Sequence, residues 1–170
     1  MAKREGRNRV ICFADVPDDV VVDDTKIDRV QQVTQEGDVA IPFHAVTALI
    51  SALGYRDMAT ADHSRRVADL CVAVGSRLMS VSDCYILEIA ALLHDIGKIG
   101  IPDAIHLKPG QFTDEEFTIM KTHTLIGGDT LKSVAQKFPQ ARYLQMATDI
   151  AFYHHERYDG SGYPTGLVGD

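Results

Sequence analysis

The sequence predicts an all-α protein, folded as a helical bundle, with a short strand and a linker ahead of the bundle. After residue 40, apolar residues recur with helical spacing in several segments, and no alternating strand pattern appears. Capping residues or prolines precede several of these segments, as is usual where helices begin. With 45% hydrophobic and 24% charged residues, the composition is that of a soluble globular protein long enough for one well-buried domain.

The first forty residues are expected to be organised separately from the bundle. Residues 1–14 predict a basic turn that leads into a short apolar strand, which is too small to be stable alone. Residues 15–40 are acidic and polar and predict a linker, with some helix around Lys26 to Gln35. The domain itself is expected to occupy residues 41–170.

Successive helices are expected within the domain. They cover about Phe43–Leu53, Thr60–Leu78, Ser82–His94, Thr113–Lys121 and Gln140–Glu156. Ser82 is the expected N-cap of the third helix, and Thr113 begins a capping-box signature for the fourth. The second helix is expected to bury one face, formed by Val67, Leu70, Cys71, Val74 and Leu78. The paired glycines Gly127 and Gly128 leave open whether the fourth helix continues to Val134.

Composition and charge restrict the function classes. No run of about 18 apolar residues exists, and the N-terminus lacks the apolar core of a signal peptide, so the cytoplasm is the simplest location. The net charge of −7 argues against DNA or RNA as a partner, although a metal cluster could still bind a small anion. Cys12, Cys71 and Cys84 lack CxxC spacing and are interpreted as reduced core residues.

Histidines recur once per helix. His63, His94, His123 and His154 stand about 30 residues apart, which is the length that one helix and its loop consume. In a bundle, such helices can bring their ligands to one internal site. A single histidine is more often structural, but these four are joined by Asp95 and His155, and together they predict a metal centre.

Two adjacent pairs indicate more than one ion. Neighbouring residues on an α-helix point about 100° apart, so His94 with Asp95, and His154 with His155, are expected to serve two ions rather than one. Two-metal sites with ions about 3.5–4 Å apart are used to split phosphate esters. Asp95, with two carboxylate oxygens, is the natural bridge. Imidazole and carboxylate ligands suit iron or manganese as well as zinc, and the sequence does not choose among them.

Residues beside the ligands predict a substrate pocket. Lys98 is expected to hold a substrate phosphate or to help protonate the leaving oxygen; alone, it would be interpreted as a helix-end lysine near the last carbonyls. Tyr163, in a rigid turn after His155, is expected at the rim, where it could stack on a base. Arg157 would contact a phosphate or pair with a neighbouring acid. The alternative is a turn that merely ends a helix.

At this point the sequence resembles a known family. His94-Asp95-Ile96-Gly97-Lys98 and His154-His155-Glu156-Arg157-Tyr158-Asp159-Gly160-Ser161-Gly162-Tyr163-Pro164 are similar to the motifs of the HD-GYP family, a branch of the HD phosphohydrolases. The resemblance extends over about residues 60–170 and includes His63-Ser-Arg-Arg-Val-Ala68, Lys108-Pro-Gly110, Met120-Lys-Thr-His123 and Gly166-Leu167. Ala2-Lys-Arg-Glu-Gly-Arg-Asn-Arg-Val10 resembles the closing segment of GGDEF diguanylate cyclase domains, with a basic linker as the alternative.

The resemblance implies an HD-domain bundle that hydrolyses cyclic di-GMP, to the linear dinucleotide pGpG or on to GMP. The metal ligands it implies are His63, His94, Asp95, His123, His154 and His155, with Asp95 and Lys98 as the catalytic residues. The substrate contacts that the motifs suggest are Lys98, Arg157, Gly162, Tyr163 and Pro164. A GGDEF domain in cis or in trans, and a second copy of the chain in a homodimer, are the expected protein partners.

The sequence departs from the family pattern in two places. Family members continue into further helices, one of which supplies another aspartate ligand, so residues 41–170 are expected to be an incomplete domain that could be inactive as it stands. Members with three metals have an acidic residue ahead of the first histidine ligand; Ala59 and Asp62 occupy these positions, which favours two ions. Non-hydrolytic sensing or docking, and hydrolysis of another nucleotide, are the alternative functions. His44 and His106 are interpreted as a structural and a loop residue.

Overall fold

A computed structural model of the chain describes residues 43–169. The helices are α1 (Phe43–Arg56), α2 (Met58–Gly75), α3 (Val81–Leu93), α4 (Asp103–His106), α5 (Asp114–Lys121), α6 (His123–Ala135) and α7 (Arg142–Tyr153), and a 3-10 helix occupies Ile96–Gly100. Across this described range the β-structure amounts to one isolated bridge between Asp159 and Val168. The all-α prediction is therefore confirmed. The strand, linker and GGDEF-like predictions for residues 1–40, like those for Cys12 and the His44 side chain, lie outside the described part.

Helix starts follow side-chain caps, with one correction to the sequence analysis. Ser80, and not Ser82, caps α3, because its hydroxyl accepts a hydrogen bond from the Asp83 amide at 3.1 Å. The capping box at α5 is present as predicted: the Glu116 amide donates to Thr113 Oγ1 at 3.3 Å, and the Thr113 amide donates to Glu116 Oε2 at 2.7 Å. Several helix ends differ from prediction by one to three residues, as is common for frayed ends.

The core surrounds α3. Ile89 and Ala90 are fully buried at its centre, and Leu92 and Leu93 continue the buried stripe to its C-terminal end. Ala147 and Ala151 of α7, the neighbouring helix in this core, are also fully buried. The last turn of α3 therefore delivers whatever follows it into the interior of the bundle.

The face that α2 buries is narrower than the sequence predicts. Val67 and Cys71 pack against the core, but Leu70, Val74 and Leu78 are exposed. The buried positions of α2 are instead the small residues Ser64, Ala68 and Gly75. Small side chains let α2 lie close to α3. The larger residues Leu70, Val74 and Leu78 lie outside this contact and are exposed to solvent.

The paired glycines lie inside a helix and do not break it. The break between α5 and α6 falls at Thr122, whereas Gly127 and Gly128 are buried within α6. A Cβ on Gly97, in the 3-10 helix, would lie 2.5 Å from the Gly127 nitrogen and 2.9 Å from its Cα. Backbone therefore packs directly on backbone here, and a side chain on Gly97 would separate α6 from the segment that follows α3.

One finding concerns membranes. Among the described residues, no helix combines the length and the apolar character needed to cross a bilayer.

Gly97→Ala should destabilise the bundle. The new methyl group would overlap backbone atoms, which cannot rotate away, and overpacking of this kind costs about 1–3 kcal/mol of unfolding free energy. Gly100→Ala is the matched control, because its Cβ would meet only the Ile126 side chain, at 3.0 Å. Urea denaturation of the two variants measures the difference, and equal midpoints would contradict the close packing described here.

Candidate metal centre

Helix ends bring the predicted ligands together. His94 directly follows α3, His123 opens α6, and His154 directly follows α7. His94 and His123 are buried, His154 is partly buried, and His63 on α2 has a side chain that is 47% exposed. The interior ends of three helices and one face of a fourth therefore meet at a single place.

Asp95 lies at the centre of this cluster. Its backbone is no longer helical (φ −98°, ψ 10°), and the residue is only 4% exposed. Oδ1 faces His123 Nε2 at 3.3 Å and His154 Nε2 at 3.6 Å. Oδ2 faces His94 Nε2 at 3.2 Å and His63 Nε2 at 3.9 Å. Each carboxylate oxygen thus has its own pair of imidazoles.

Backbone carbonyls define which imidazole nitrogen carries the proton. Nδ1 of His94 lies 2.7 Å from the Ala91 oxygen, and Nδ1 of His123 lies 2.7 Å from the Met120 oxygen. Nδ1 of His154 lies 3.0 Å from the Ile150 oxygen. A carbonyl only accepts hydrogen bonds, so each Nδ1 must donate, and in the neutral ring Nε2 then carries a lone pair. The atoms that face Asp95 are therefore acceptors.

This arrangement fits a cation. Asp95 Oδ1 is buried and has no hydrogen-bond partner, and the Nε2 atoms around it present lone pairs. Acceptor atoms that face one another in a low-dielectric interior repel unless protons or cations lie between them. Imidazole held by a backbone carbonyl through its second nitrogen is the usual form of a histidine metal ligand. The donor set is nitrogen and oxygen without thiolate, which suits iron, manganese or zinc.

The protonation states agree with ligand chemistry. Burial lowers the pKa of His63 and His123 and, together with the neighbouring His154, lowers the pKa of His155 to about 4, so these rings are neutral at pH 7. Burial raises the pKa of the Asp95 carboxyl, but hydrogen bonds from His154 and His94, where these rings carry a proton on Nε2, and the charge of Lys98 outweigh it and hold that pKa far below its ordinary value. Neutral imidazoles and an ionised carboxylate are the forms that bind metal.

The potential ligand atoms fall into two groups that share Asp95. One contains His63, His94 and Asp95, and the other contains Asp95, His123, His154 and His155; within each group the ligand atoms lie within 4.8 Å of one another. His154 and His155 belong to the same group, contrary to the expectation that helix neighbours diverge. The His154 backbone is still close to helical (φ −64°, ψ −11°), so the angular step between neighbours does not prevent their ring nitrogens from sharing one site.

Lys98 contacts the same carboxylate. Its Nζ lies 2.6 Å from Asp95 Oδ2, and its side chain is 23% exposed. The ammonium therefore stands at the border between the buried cluster and solvent.

The turn after α7 covers one side of the cluster. The Tyr163 ring stacks on the His155 ring, with 4.6 Å between centroids and 21° between planes. A Cβ on Gly162 would lie 2.5 Å from the Glu156 Cα, so this position needs glycine for the turn to fold back on itself. Burial and the charge of Asp95 raise the pKa of Tyr163 to about 12, which keeps its hydroxyl protonated.

Beside this turn lies an open groove of about 360 Å³. It is lined by Phe117, Lys121, His154, His155, Glu156, Arg157, Ser161, Gly162 and Tyr163. Pro164, the other predicted lip residue, follows Tyr163 in the same turn. Arg157 lines the groove and also lies 3.6 Å from the Asp159 carboxylate. It can therefore make either contact that the sequence left open, to a phosphate in the groove or to a neighbouring acid.

Glu156 anchors the turn. Its Oε1 accepts hydrogen bonds from the Thr165 amide and hydroxyl, both at 2.7 Å, and from the Gly166 amide at 3.1 Å. Its Oε2 accepts from the Leu167 amide at 3.0 Å. Burial alone would raise the pKa of this carboxyl, but these hydrogen bonds lower it overall. One carboxylate therefore fixes the far end of the turn that presents Tyr163.

Sequence reasoning missed three groove or support residues. Phe117 and Lys121 are one helical turn apart on α5, and the Lys121 ammonium lies 4.6 Å from the Phe117 ring centroid and 5.7 Å from that of Tyr163. The spacing of Lys121, two residues before His123, could have indicated its position. No pattern signals the anchoring role of Glu156, because its partners lie nine to eleven residues away.

His106 corrects the sequence analysis. It ends α4 and is not in a loop, its side chain is only 6% exposed, and its Nε2 lies 3.1 Å from Asp57 Oδ2. It does not belong to either ligand group.

Comparison with known proteins identifies relatives. The HD domain family model matches residues 47–170. The cyclic di-GMP phosphodiesterase response regulator RpfG of Xanthomonas campestris pv. campestris is 44% identical over 126 residues, 74% of this chain and 32% of the relative. A cyclic di-GMP phosphodiesterase of Thermotoga maritima is 51% identical over 115 residues, 66% of this chain and 30% of the relative.

A further relative is named for a different substrate. The 3'3'-cGAMP-specific phosphodiesterase 2 of Vibrio cholerae is 37% identical over 123 residues, 72% of this chain and 23% of the relative. The chain spans about a quarter to a third of the length of these three relatives.

Asp95→Asn should reduce the metal content of the chain more than any single histidine substitution. Asp95 belongs to both ligand groups, and the neutral amide of asparagine carries no negative charge to either. The loss of metal affinity should therefore exceed the roughly tenfold loss that follows removal of a residue that only supports a ligand. His63→Ala should affect one group only. Inductively coupled plasma mass spectrometry after loading with manganese measures both, with His106→Gln as the histidine control. Metal content equal to that of the unmodified chain in Asp95→Asn would contradict the shared site.

Glu156→Gln should loosen the turn that carries Tyr163. The amide replaces one acceptor oxygen by a donor that faces backbone amides, so at least one of the hydrogen bonds to residues 165–167 is lost. Faster amide hydrogen exchange at Thr165, Gly166 and Leu167 is the expected result. Asp159→Asn is the matched control, because that side chain bonds only to Ser161 and Arg157 within the same turn. Unchanged exchange at the three amides would show that Glu156 does not anchor the turn.

Proposed function

This chain belongs to the HD-GYP family of HD-domain phosphohydrolases, and from that premise we propose that it is the catalytic domain of a metal-dependent phosphodiesterase that hydrolyses cyclic di-GMP. The observation that carries the proposal is the buried Asp95 carboxylate between two sets of imidazole acceptors. A phosphodiester is an anion, and the uncompensated acceptors of this cluster cannot bind one. A cation-loaded cluster beside Lys98 can.

We propose that the cluster binds two divalent ions. Iron and manganese are the preferred candidates, and zinc is the alternative. The residues that would hold them are His63, His94 and Asp95 on one side, and Asp95, His123, His154 and His155 on the other. Bound divalent ions in such a site supply Lewis-acid polarisation of a phosphate ester and activation of the attacking water near neutral pH. The protein contributes fixed ligands: each Nδ1–H bond to a backbone carbonyl prevents the ring from turning.

Lys98 is the proposed contact to the substrate phosphate. Its ammonium is held by Asp95 Oδ2 and is partly exposed, so it can donate further hydrogen bonds to a non-bridging phosphate oxygen without leaving the carboxylate. Hydrolysis adds water to phosphorus and breaks one phosphorus–oxygen bond, and the leaving sugar oxygen must take up a proton. The same ammonium is the nearest charged donor of the described residues to the carboxylate and is our candidate for that step.

The groove offers a surface for the remainder of the dinucleotide. Tyr163 and Phe117 present aromatic rings, with Lys121 between them and Arg157 at the edge. Aromatic rings stack on nucleobases, and cations near them attract phosphate. We propose that Tyr163 contacts a base and Arg157 a phosphate, with Gly162 and Pro164 forming the lip of the pocket.

A second substrate is favoured by one comparison. The 3'3'-cGAMP-specific relative shares 37% identity with this chain, and that ligand differs from cyclic di-GMP in one base. The cluster and Lys98 would treat the two phosphodiesters alike, so a preference has to come from the groove. Either substrate requires a cyclase as its source, and the resemblance at residues 2–10 makes a GGDEF domain our candidate partner.

The test is turnover by the full-length protein that contains residues 41–170, loaded with iron or manganese. We expect release of pGpG or GMP from cyclic di-GMP, measured by chromatography, with 3'3'-cGAMP assayed in parallel. Lys98→Met should lower kcat/KM by roughly 10- to 100-fold, because a hydrogen bond to a charged group contributes about 1.5–3 kcal/mol. Lys132→Met, an exposed lysine on α6, is the charge-matched control.

Two results would oppose the proposal. Confirmed metal binding without any product from either dinucleotide would contradict hydrolysis. Tight cyclic di-GMP binding without cleavage, unaffected by Lys98→Met, would instead favour a sensing or docking module.

A further inference from the structure

Arg56, the last residue of α1, contacts the turn that carries Lys98. Its Nη1 donates hydrogen bonds to the Lys98 carbonyl at 2.9 Å and to the Ile99 carbonyl at 2.8 Å, and its Nη2 donates to the Ile101 carbonyl. Its Nε donates to Asp103 Oδ1 at 2.7 Å. One guanidinium thus joins the end of α1 to the segment from Lys98 to Asp103, which lies more than forty residues further along the chain.

These carbonyls need a partner. They stand at the C-terminal end of the 3-10 helix Ile96–Gly100, where helix carbonyls lack intrahelical donors, and only the Lys98 carbonyl has one, from the Ile101 amide at 3.1 Å. A planar guanidinium with several N–H groups can serve three carbonyls at once, whereas a lysine ammonium is a single flexible point of contact. The carbonyl contacts matter more than the ion pair, because Asp103 is 67% exposed and solvent screens it.

The fixed backbone determines where the Lys98 ammonium lies. Lys98 reaches Asp95 Oδ2 through a flexible side chain of four methylenes, so the position of Nζ depends on how firmly its own Cα is held. On the Asp95 side, the turn is restrained by a hydrogen bond from the Lys98 backbone amide to the Asp95 carbonyl, at 3.0 Å. Beyond Lys98, Arg56 provides the side-chain restraint.

We propose that Arg56 is a positioning residue for Lys98: by binding the carbonyls of Lys98, Ile99 and Ile101, it holds the lysine ammonium where it meets the substrate phosphate. This inference rests on the phosphate-binding role proposed for Lys98. Arg56 belongs to neither ligand group and does not line the groove, so its contacts to the turn and to Asp103 are the route by which it acts on Lys98.

The adjacent residue reinforces the same junction. Asp57 caps α2 through the Ala59 amide at 2.9 Å and faces His106 Nε2 of α4 at 3.1 Å. Because α2 carries His63, a change at Asp57 would disturb a candidate ligand as well as the turn. Arg56 is therefore the cleaner position to alter.

A double-mutant cycle tests the inference in the full, metal-loaded chain. Arg56→Gln should lower kcat/KM for cyclic di-GMP by about tenfold, with metal content unchanged, because charge-assisted hydrogen bonds to the turn are lost. In a Lys98→Met background the same substitution should change kcat/KM by less than about twofold, because the group it positions is absent. Arg56→Lys, which keeps the charge but presents its donors from a single nitrogen, should restore part of the rate.

A second readout is independent of turnover. Amide hydrogen exchange at Ile99, Gly100 and Ile101 should be about tenfold faster in Arg56→Gln than in the unmodified chain. Arg142→Gln is the matched control: Arg142 pairs with Asp83 at 2.9 Å, away from the cluster, and should alter neither exchange at this turn nor kcat/KM. If Arg56→Gln does not fold, kcat/KM and amide hydrogen exchange are both measured on Arg56→Lys instead.

Equal fractional losses of kcat/KM in the two backgrounds would overturn the inference and leave Arg56 with a general structural role. Unchanged exchange at the turn would overturn it as well. If the unmodified chain cleaves no cyclic dinucleotide, the proposed function fails, whereas the exchange measurement still decides whether Arg56 restrains the Lys98 turn.

Discussion

The structure depends on one carboxylate that is buried among acceptors. Asp95 Oδ1 and Oδ2 each face imidazole nitrogens whose rings donate their protons elsewhere, to backbone carbonyls. Lys98 compensates part of the charge on Oδ2, but Oδ1 has no hydrogen-bond partner. An arrangement of this kind is unfavourable in the absence of cations and strongly attractive to them. The remaining features of the fold serve to place these atoms.

The bundle delivers ligands through helix ends. The ends of α3, α6 and α7 converge on the cluster. At each end the histidine Nδ1 donates to a carbonyl that also accepts a backbone amide. The same backbone carbonyls therefore take part in the helix ends and fix the orientation of the ligand rings. The close backbone contact of Gly97 with Gly127 brings the segment after Asp95 against α6, which explains why two glycines lie in otherwise well-packed elements.

The sequence was sufficient to predict α1, α2, α3, α5 and α7 and the set of side chains that meet, because both follow from local periodicity and from ligand chemistry. It left α6 open and did not predict α4 or the 3-10 helix. It was not sufficient where tertiary contacts decide. Small residues set the buried face of α2, which no hydrophobic pattern indicates. His154 and His155 share one ligand group, which their adjacent positions in the sequence did not predict. Glu156 and Arg56 bind backbone groups of distant segments, and such contacts leave no periodic signal in the sequence.

The most direct test is a crystal structure of the manganese- or iron-loaded chain with anomalous diffraction data at the metal edge. The account predicts anomalous peaks within coordination distance of both oxygens of Asp95, one beside His63 and His94 and the other beside His123, His154 and His155. Hydrogen bonds from protonated Nε2 atoms to Asp95, with no anomalous peak at the cluster, would contradict it.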